Sequence, residues 1–263
     1  MHSVVRHERT LALLRQHGLV SVRRLAREVR VSDMTVGRDL AHLCDQGLVR
    51  KLHGGAVLAA GKAEESHFSA TRQEHVEEKR AIAKEAAALV APGSVVALGA
   101  GTTTWHVARA LAERSDLRFI TDSPNIAMAL DRGQSTIILT GGHFRTPADA
   151  LAGPPTVWML ERLPSDILFL GANGIDLKAG YTTPVLEEVE VNAALIRKTS
   201  RVVIVADHSK FGRVTLATFA PTEAAQLVVT NAAAPRSILA GIRRRGVQVL
   251  VAGRRARAEK RGR

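Results

Sequence analysis

The chain has 263 residues, 46% apolar and 24% charged, a formal net charge of +12 at pH 7, and one cysteine, Cys44. That length is enough to bury a real core and points to two domains, while a single cysteine excludes an internal disulfide and, set among apolar neighbours, reads as a packing residue and not a nucleophile. No stretch of membrane-spanning length is free of polar residues, and the ten histidines show no paired-ligand spacing, so neither a membrane segment nor a metal or cofactor is expected.

The first elements are helical. MHSVVRHERTLALLRQHG reads as an amphipathic helix that lacks the apolar core and small-residue cleavage site of a secretory signal, so a cytoplasmic protein is expected. Ser21 can cap the next helix, where Val22, Leu25, Ala26 and Val29 form one apolar stripe and Arg23, Arg24 and Arg27 lie opposite. After a turn at Arg30 and Val31, Ser32 is a second N-cap, and Val36, Leu40 and Leu43 bury one side of a helix whose other side carries Asp33, Thr35 and Arg38. GLVRKLHGGAVL then reads as a glycine-tipped hairpin. A helix, turn, helix and hairpin in this order predict a winged helix-turn-helix over residues 1–58, with the helix-turn-helix at about 20–39. Its second helix would lie in the major groove of duplex DNA, where hydroxyls suit phosphates or base edges and a guanidinium can bond guanine bidentately. The expected DNA contacts are Arg23, Arg24, Ser32, Thr35 and Arg38, with Lys51 and His53 from the wing.

Charge separates the regions. Residues 1–57 hold ten Lys/Arg against five Asp/Glu, residues 58–235 seventeen against nineteen, and residues 236–263 ten against one. A positive N-terminal region suits the phosphate backbone, and the slightly negative middle does not. The basic tail, 253–263, could add nonspecific DNA affinity or be a solvated segment, with a last strand just before it at Val247 to Val251.

Residues 59–78 are polar and charged, as in a linker. From Lys79 a helix is expected, then the strand SVVAL, the turn GAGTTT and a helix from about Trp105 to Ala112. FIT, TIILTGG, DILFLGANGI (166–175) and VVIVAD continue as apolar runs separated by helical stretches. This alternation predicts an α/β domain with a largely parallel sheet over residues 79–235, continuing to about 252. In GAGTTT, glycines permit close backbone approach, and the amides at a helix mouth favour an anion without needing a basic side chain.

Residues 18–58 closely resemble the DNA-binding domain of the DeoR (DeoR/GlpR) family of bacterial regulators through VSVRRLAREVRVSDMTVGRDL and the wing. GAGTTT, TDSPNIA, LTGGHFR, LFLGANGID, GYTT and VADHSKFG resemble, in order, that family's sensor domain, a relative of ribose-5-phosphate isomerase in fold. The resemblance implies operator DNA as partner, a phosphorylated sugar as effector and a homo-oligomer. By position it assigns phosphate to Gly99, Gly101, Thr102, Thr103 and Lys210, and sugar hydroxyls to Asn173, Asp176, Asp207 and Arg145; turn hydrogen bonds or surface roles are the alternative for Asn173, Asp176, Arg145 and Lys210. Three positions depart from the family pattern: Gly37 replaces an arginine, Asp122 an asparagine and Gly99 an aspartate. The rival expectation is a sugar-phosphate isomerase fused to a DNA-binding module. It needs a carboxylate base, yet Leu170, Asn173 and Gly174 stand where the isomerase presents acids, so sensing is favoured over turnover.

Overall fold

The apolar stripes of the first helices bury one another around a small sheet. In the computed structural model, which describes residues 3–17, 20–45, 49–52, 55–58, 68–131, 134–146 and 148–253, the chain forms two compact units, Met1–Ala63 and Glu64–Arg263. The first contains α1 (Ser3–His17), β1 (Val20–Ser21), α2 (Val22–Val29), α3 (Asp33–Asp45), β2 (Val49–Leu52) and β3 (Gly55–Leu58). Ser21 caps α2 by accepting the Arg24 amide at 3.3 Å, and the Ser32 hydroxyl accepts the Thr35 amide at 3.2 Å at the mouth of α3. Between them Arg30 adopts a left-handed conformation (φ 55°) and its amide closes α2 on the carbonyls of Ala26 and Arg27. Leu14, Leu25, Val29, Val36, Leu40 and Leu43 form the core with Val20, Val49 and Ala56 of the strands.

Two contacts that sequence spacing does not display hold this unit. Asp39, almost buried, takes the Arg6 guanidinium (Nη2 at 2.8 Å) and His7 Nε2 at 3.0 Å, tying α1 to α3, and the Arg6 hydrogen bonds keep its carboxyl below the usual range. Gly55, opposite Ser21 in the antiparallel β1–β3 ladder, lies so close to β1 that a Cβ there would stand 2.7 Å from the Val20 carbonyl oxygen.

In the second unit helical structure starts inside the stretch expected as linker, with α4 (Phe68–Gln73) and with α5 (Val76–Ala87), three residues before Lys79. Phe68 is buried and the buried Lys79 ammonium donates to the Thr71 carbonyl, contacts that draw these polar residues onto the domain. The chain continues as β4 (Val95–Leu98), α6 (Thr102–Leu111), β5 (Arg118–Thr121), α7 (Pro124–Leu130), β6 (Thr136–Leu139), β7 (His143–Arg145), β8 (Ala150–Ala152) and α8 (Pro154–Leu160). Then follow β9 (Ser165–Leu170), β10 (Gly174–Asp176), β11 (Gly180–Thr183), α9 (Leu186–Arg197), β12 (Thr199–Val205), β13 (Ala217–Ala220), β14 (Leu227–Asn231), α10 (Arg236–Arg244) and β15 (Gln248–Ala252).

Seven strands form one parallel sheet in the order β15-β14-β12-β9-β4-β5-β6. Alternating residues feed two cores: Val96, Leu98, Phe119, Ile167, Phe169 and Val203 face α5, α6 and α7, while Ala97, Ile120, Leu168, Leu170 and Ile204 face residues of α8, α9 and α10. The result is a three-layer α/β domain, burying both sheet faces as parallel sheets require. Its last strand, β15, matches the expected one at 247–251.

Two expectations need correction. Residues 166–175 are not one strand: β9 ends at Leu170, residues 171–173 turn out of the sheet, and β10 joins a separate antiparallel sheet, β10-β11-β13. The Asn173 amide donates to the Thr182 carbonyl, and Gly174 packs so tightly that a Cβ would stand 2.5 Å from the Arg213 carbonyl oxygen, which fixes the switch of sheets there. The helix expected from about Trp105 begins at Thr102, so all three threonines of GAGTTT belong to its first turn. Among the described residues no helix is long and apolar enough to cross a membrane.

Candidate functional site

In the first unit the core consumes Val36, Leu40 and Leu43, and the remaining side of α3 is open. Ser32, Met34 and Arg38 are exposed and Thr35 is half-buried, with its hydroxyl 2.9 Å from that of Ser32. Arg23 is exposed and Arg24 half-buried on α2, and the exposed Lys51 reaches from the wing to donate to the Gly37 carbonyl at 3.0 Å. A Cβ at Gly37 would meet nothing within 4 Å, so no packing demand explains glycine there. His53 lies outside the described residues.

The second unit builds its site from strand ends. The chain leaves β4 toward β5 and β6, then crosses back to β9 on the other side of β4 and continues outward to β12. Strand order thus reverses between β4 and β9, and the loops after those strands line the crevice where parallel α/β sheets place ligands. Gly99–Gly101 follows β4, Asp122 follows β5, Gly171–Asn173 follows β9, and Asp207–Lys210 follows β12.

After β4, Gly101 takes φ 152°, ψ 159°, a conformation essentially confined to glycine, and this swings the chain into α6. Its carbonyl accepts the Trp105 amide at 3.0 Å and the Thr104 hydroxyl at 2.9 Å. The amides of Gly101, Thr102 and Thr103 precede any intrahelical partner and carry the positive end of the helix. Gly99 serves otherwise: its amide is taken by the Phe169 carbonyl at 3.1 Å, and a Cβ on it would stand 2.4 Å from Cδ1 of the buried Leu170. Glycine at 99 and leucine at 170 therefore fit each other, which accounts for the missing aspartate.

Asp122 lies beneath this loop. It is 3% exposed, its Oδ1 accepts the Ala100 amide at 2.8 Å, and burial, with smaller contributions from Glu188 and Asp149, raises its pKa to about 7. Asp207 is fully buried; its Oδ1 accepts the Ser209 amide at 2.9 Å, while Oδ2 has no hydrogen-bond partner among the described residues. Burial pushes its pKa up, but the Ser209 hydrogen bonds and the charges of Lys210 and Lys79 outweigh that and hold it below the usual range. Lys79, 1% exposed, has its pKa lowered by burial, against the pull of Asp207. Sequence reasoning missed Lys79, although a lysine in register with Ile82, Ala83 and Ala86 on the apolar face of α5 was a visible signal.

Not every expected residue converges here. Asp176 spends Oδ1 on the amides of Lys178 and Ala179, a turn role that holds its carboxyl below the usual range. Asn173 is exposed, and Arg145 on β7 stands 3.9 Å from Glu187. One histidine cluster escaped the spacing test: ligand atoms of His75, Glu78 and His208 lie within 4.8 Å of one another. Asn231 Nδ2 faces His208 Nδ1 at 3.2 Å, with Asn231 Oδ1 accepting the His208 amide. An accepting Nδ1 leaves Nε2 protonated, so the ring as placed offers no lone pair to a cation.

Comparison with known proteins completes the site. Residues 6–61 match the DeoR-like helix-turn-helix domain, and residues 74–232 match the DeoR C terminal sensor domain. The HTH-type transcriptional regulator GlpR of Haloferax volcanii is 38% identical over 80% of this chain and 83% of its own length. The glycerol-3-phosphate regulon repressor of Escherichia coli is 32% identical over 91% of this chain and 95% of its own. Among solved structures, ribose 5-phosphate isomerase A of Methanocaldococcus jannaschii aligns at 20% identity and TM-score 0.40 over 52% of this chain and 55% of that one.

Proposed function

The chain belongs to the DeoR family of transcriptional regulators, and from that premise we propose that it represses genes of carbohydrate metabolism and leaves its operator when a phosphorylated sugar fills the crevice of the second unit. As a family member it is a DNA-binding regulator and not an enzyme. Ser32, Thr35 and Arg38 read the major groove, Arg23 and Arg24 bind backbone phosphates, and Lys51 and His53 add wing contacts. The regulator acts in the cytoplasm as a symmetric homo-oligomer on paired half-sites.

What supports the effector reading is that the amides of Gly101 to Thr103, which have no intrahelical partner, follow β4 at the reversal point of the parallel sheet, while Lys210, whose charge acts on Asp207 together with that of the buried Lys79, follows β12 two strands along. β4 and β12 are separated by β9 alone, so their ends are about 10 Å apart, a span suited to a small phosphorylated ligand. The phosphate rests on the amides and Lys210, while Asp207, Asn173, Asp176 and Arg145 are the polar groups on offer to hydroxyls. A relative named for a glycerol-3-phosphate regulon supports a phosphorylated carbon compound as the class of signal. Against turnover, Leu170, packed against Gly99, stands where the resemblance places a carboxylate of the isomerase.

Fluorescence anisotropy on operator duplex, with and without a panel of sugar phosphates, tests both halves. Arg38→Ala is expected to weaken operator binding by about 1–3 kcal/mol and leave effector affinity unchanged. Lys210→Ala is expected to do the reverse, lowering effector affinity roughly tenfold with operator affinity intact. Unchanged operator affinity in Arg38→Ala would remove α3 from the groove, and a thermal shift with no sugar phosphate in the panel would leave the crevice without its ligand class.

A further inference from the structure

Away from the strand-end site, one cavity has no role yet. Between α4, α5 and α6 lies an open cavity of about 720 Å³ whose lining includes Arg72, Arg80, Lys84, Trp105, His106 and Arg109. None of the crevice groups Gly101, Thr102, Thr103, Asp207 or Lys210 lines it, and among the described residues no acidic side chain does. Arg80 is the one lining cation with a carboxylate partner among the described residues, Glu77 at 2.7 Å on the exposed surface. Arg72, Lys84 and Arg109 have none among the described residues.

The aromatic wall holds two of these cations in place. The Arg72 and Arg109 guanidinium carbons stand 5.0 and 5.2 Å from the centre of the Trp105 ring. A guanidinium held against an indole keeps its N–H edge free, and that edge matches the paired oxygens of a phosphate. His106 meets Trp105 edge-on with ring centres 5.0 Å apart, is 8% exposed, and its Nε2 has no hydrogen-bond partner among the described residues. Burial and then the facing cations, Lys79 and Arg80 from α5, Arg109 from α6 and Arg72 from α4, lower its pKa to about 4, so the ring is neutral at pH 7. Gathering four cations around one concavity is unfavourable in the empty protein, and leaving a buried ring nitrogen unpaired adds to that cost.

We infer that this cavity is a second ligand site that takes a small polyanion bearing two or more phosphate groups. Arg72 and Arg109 engage phosphate oxygens through their N–H edges, Lys84 and Arg80 add charge at the rim, and His106 donates from Nε2 to an oxygen deeper in the wall. A concave site with a buried imidazole suits a ligand that enters it, whereas a duplex offers its phosphates on a convex surface. The site does not depend on the effector reading, because the two ligand sets share no residue.

Sodium tripolyphosphate is the probe, titrated into the full-length protein carrying Trp158→Phe, which leaves Trp105 as the sole tryptophan. Binding is expected by calorimetry with a change in Trp105 emission, and it persists in Lys210→Ala. Arg72→Ala and Arg109→Ala each weaken it roughly tenfold, and Lys84→Ala, away from the aromatic wall, weakens it in the same direction. Saturation raises the His106 titration midpoint above its free value near 4, read by nuclear magnetic resonance. Three results overturn the inference: no binding to any of these proteins, binding abolished by Lys210→Ala but untouched by Arg72→Ala, or a loss of nonspecific duplex affinity in the arginine variants with no tripolyphosphate binding. The second result would place the probe in the crevice, and the third would make the cavity a DNA-backbone contact.

Discussion

Asp122 and Gly37 mark two positions where a single side chain sets behaviour. Asp122 is a carboxyl with a pKa near 7 whose oxygen already holds the Ala100 amide of the anion loop. Its folded value lies above the ordinary 3.8, so its protonated form favours folding, and that contribution is lost as pH rises from about 4 through 7. Asp122→Asn is therefore expected to flatten this part of the stability profile, and the variant should gain on the parent protein between about pH 4 and pH 7 in urea unfolding followed across pH, with no further gain above that. If the proposed effector phosphate rests on the loop, its charge raises the Asp122 pKa further. Effector binding near pH 7 should then take up a proton, seen as a buffer-dependent heat in calorimetry and absent in Asp122→Asn. Gly37 sits in α3 with open space around it, so Gly37→Ala should stabilise the first unit by about 1 kcal/mol, measured as a rise in its melting temperature. An unchanged or lowered temperature would mean that the extra backbone freedom of glycine has no cost in this helix.

Among the elements, the wing and the crevice loops depend on contacts between chain segments far apart in sequence. Gly55→Ala places a methyl 2.7 Å from the Val20 carbonyl oxygen; β3 must shift away from β1, and we expect a loss of about 1–3 kcal/mol in denaturant unfolding together with weaker operator binding. Neither loss should appear if β1 can yield without cost. This distinction between near and distant contacts also separates what the sequence made legible from what it did not. The caps at Ser21 and Ser32, the stripes of α2 and α3 and the succession of buried strands are local patterns, and each was readable from spacing. The grip of Arg6 on Asp39, the burial of Lys79 against Thr71 and the fit of Gly99 to Leu170 join residues whose pairing only the folded chain defines. The break after Leu170 is marked locally by the turn formers Gly171, Asn173 and Gly174, but the sheet that Gly174 joins is not, because its partner, β11, comes later in the chain. Of the candidate site, the loop after β4 and the Asp207–Lys210 segment after β12 were legible as motifs, whereas the turn role of Asp176 and the packing role of Gly99 required geometry.

At the scale of the whole molecule, linkage fixes how large the mutual effects of operator and the proposed effector are. If a sugar phosphate lowers operator affinity by some factor, saturating operator must lower sugar-phosphate affinity by the same factor. Calorimetric titration of effector into free and operator-bound protein is expected to return equal factors within error; unequal ones would show that a further equilibrium, such as a change of assembly state, participates. The order of strands has a consequence for the timing of motion. β4, β5 and β6 come from one run of sequence, β9, β12, β14 and β15 from a later one; within the sheet the two runs meet along the β4–β9 pairing, and α5 of the first run packs across the face of β12, β14 and β15. Such a boundary is a natural parting line for partial opening of the domain. A ligand held by Gly101 to Thr103 on one run and by Lys210 on the other would bridge it like a staple, so amide hydrogen exchange should slow most along β4 and β9 and less at the outer strands β6 and β15.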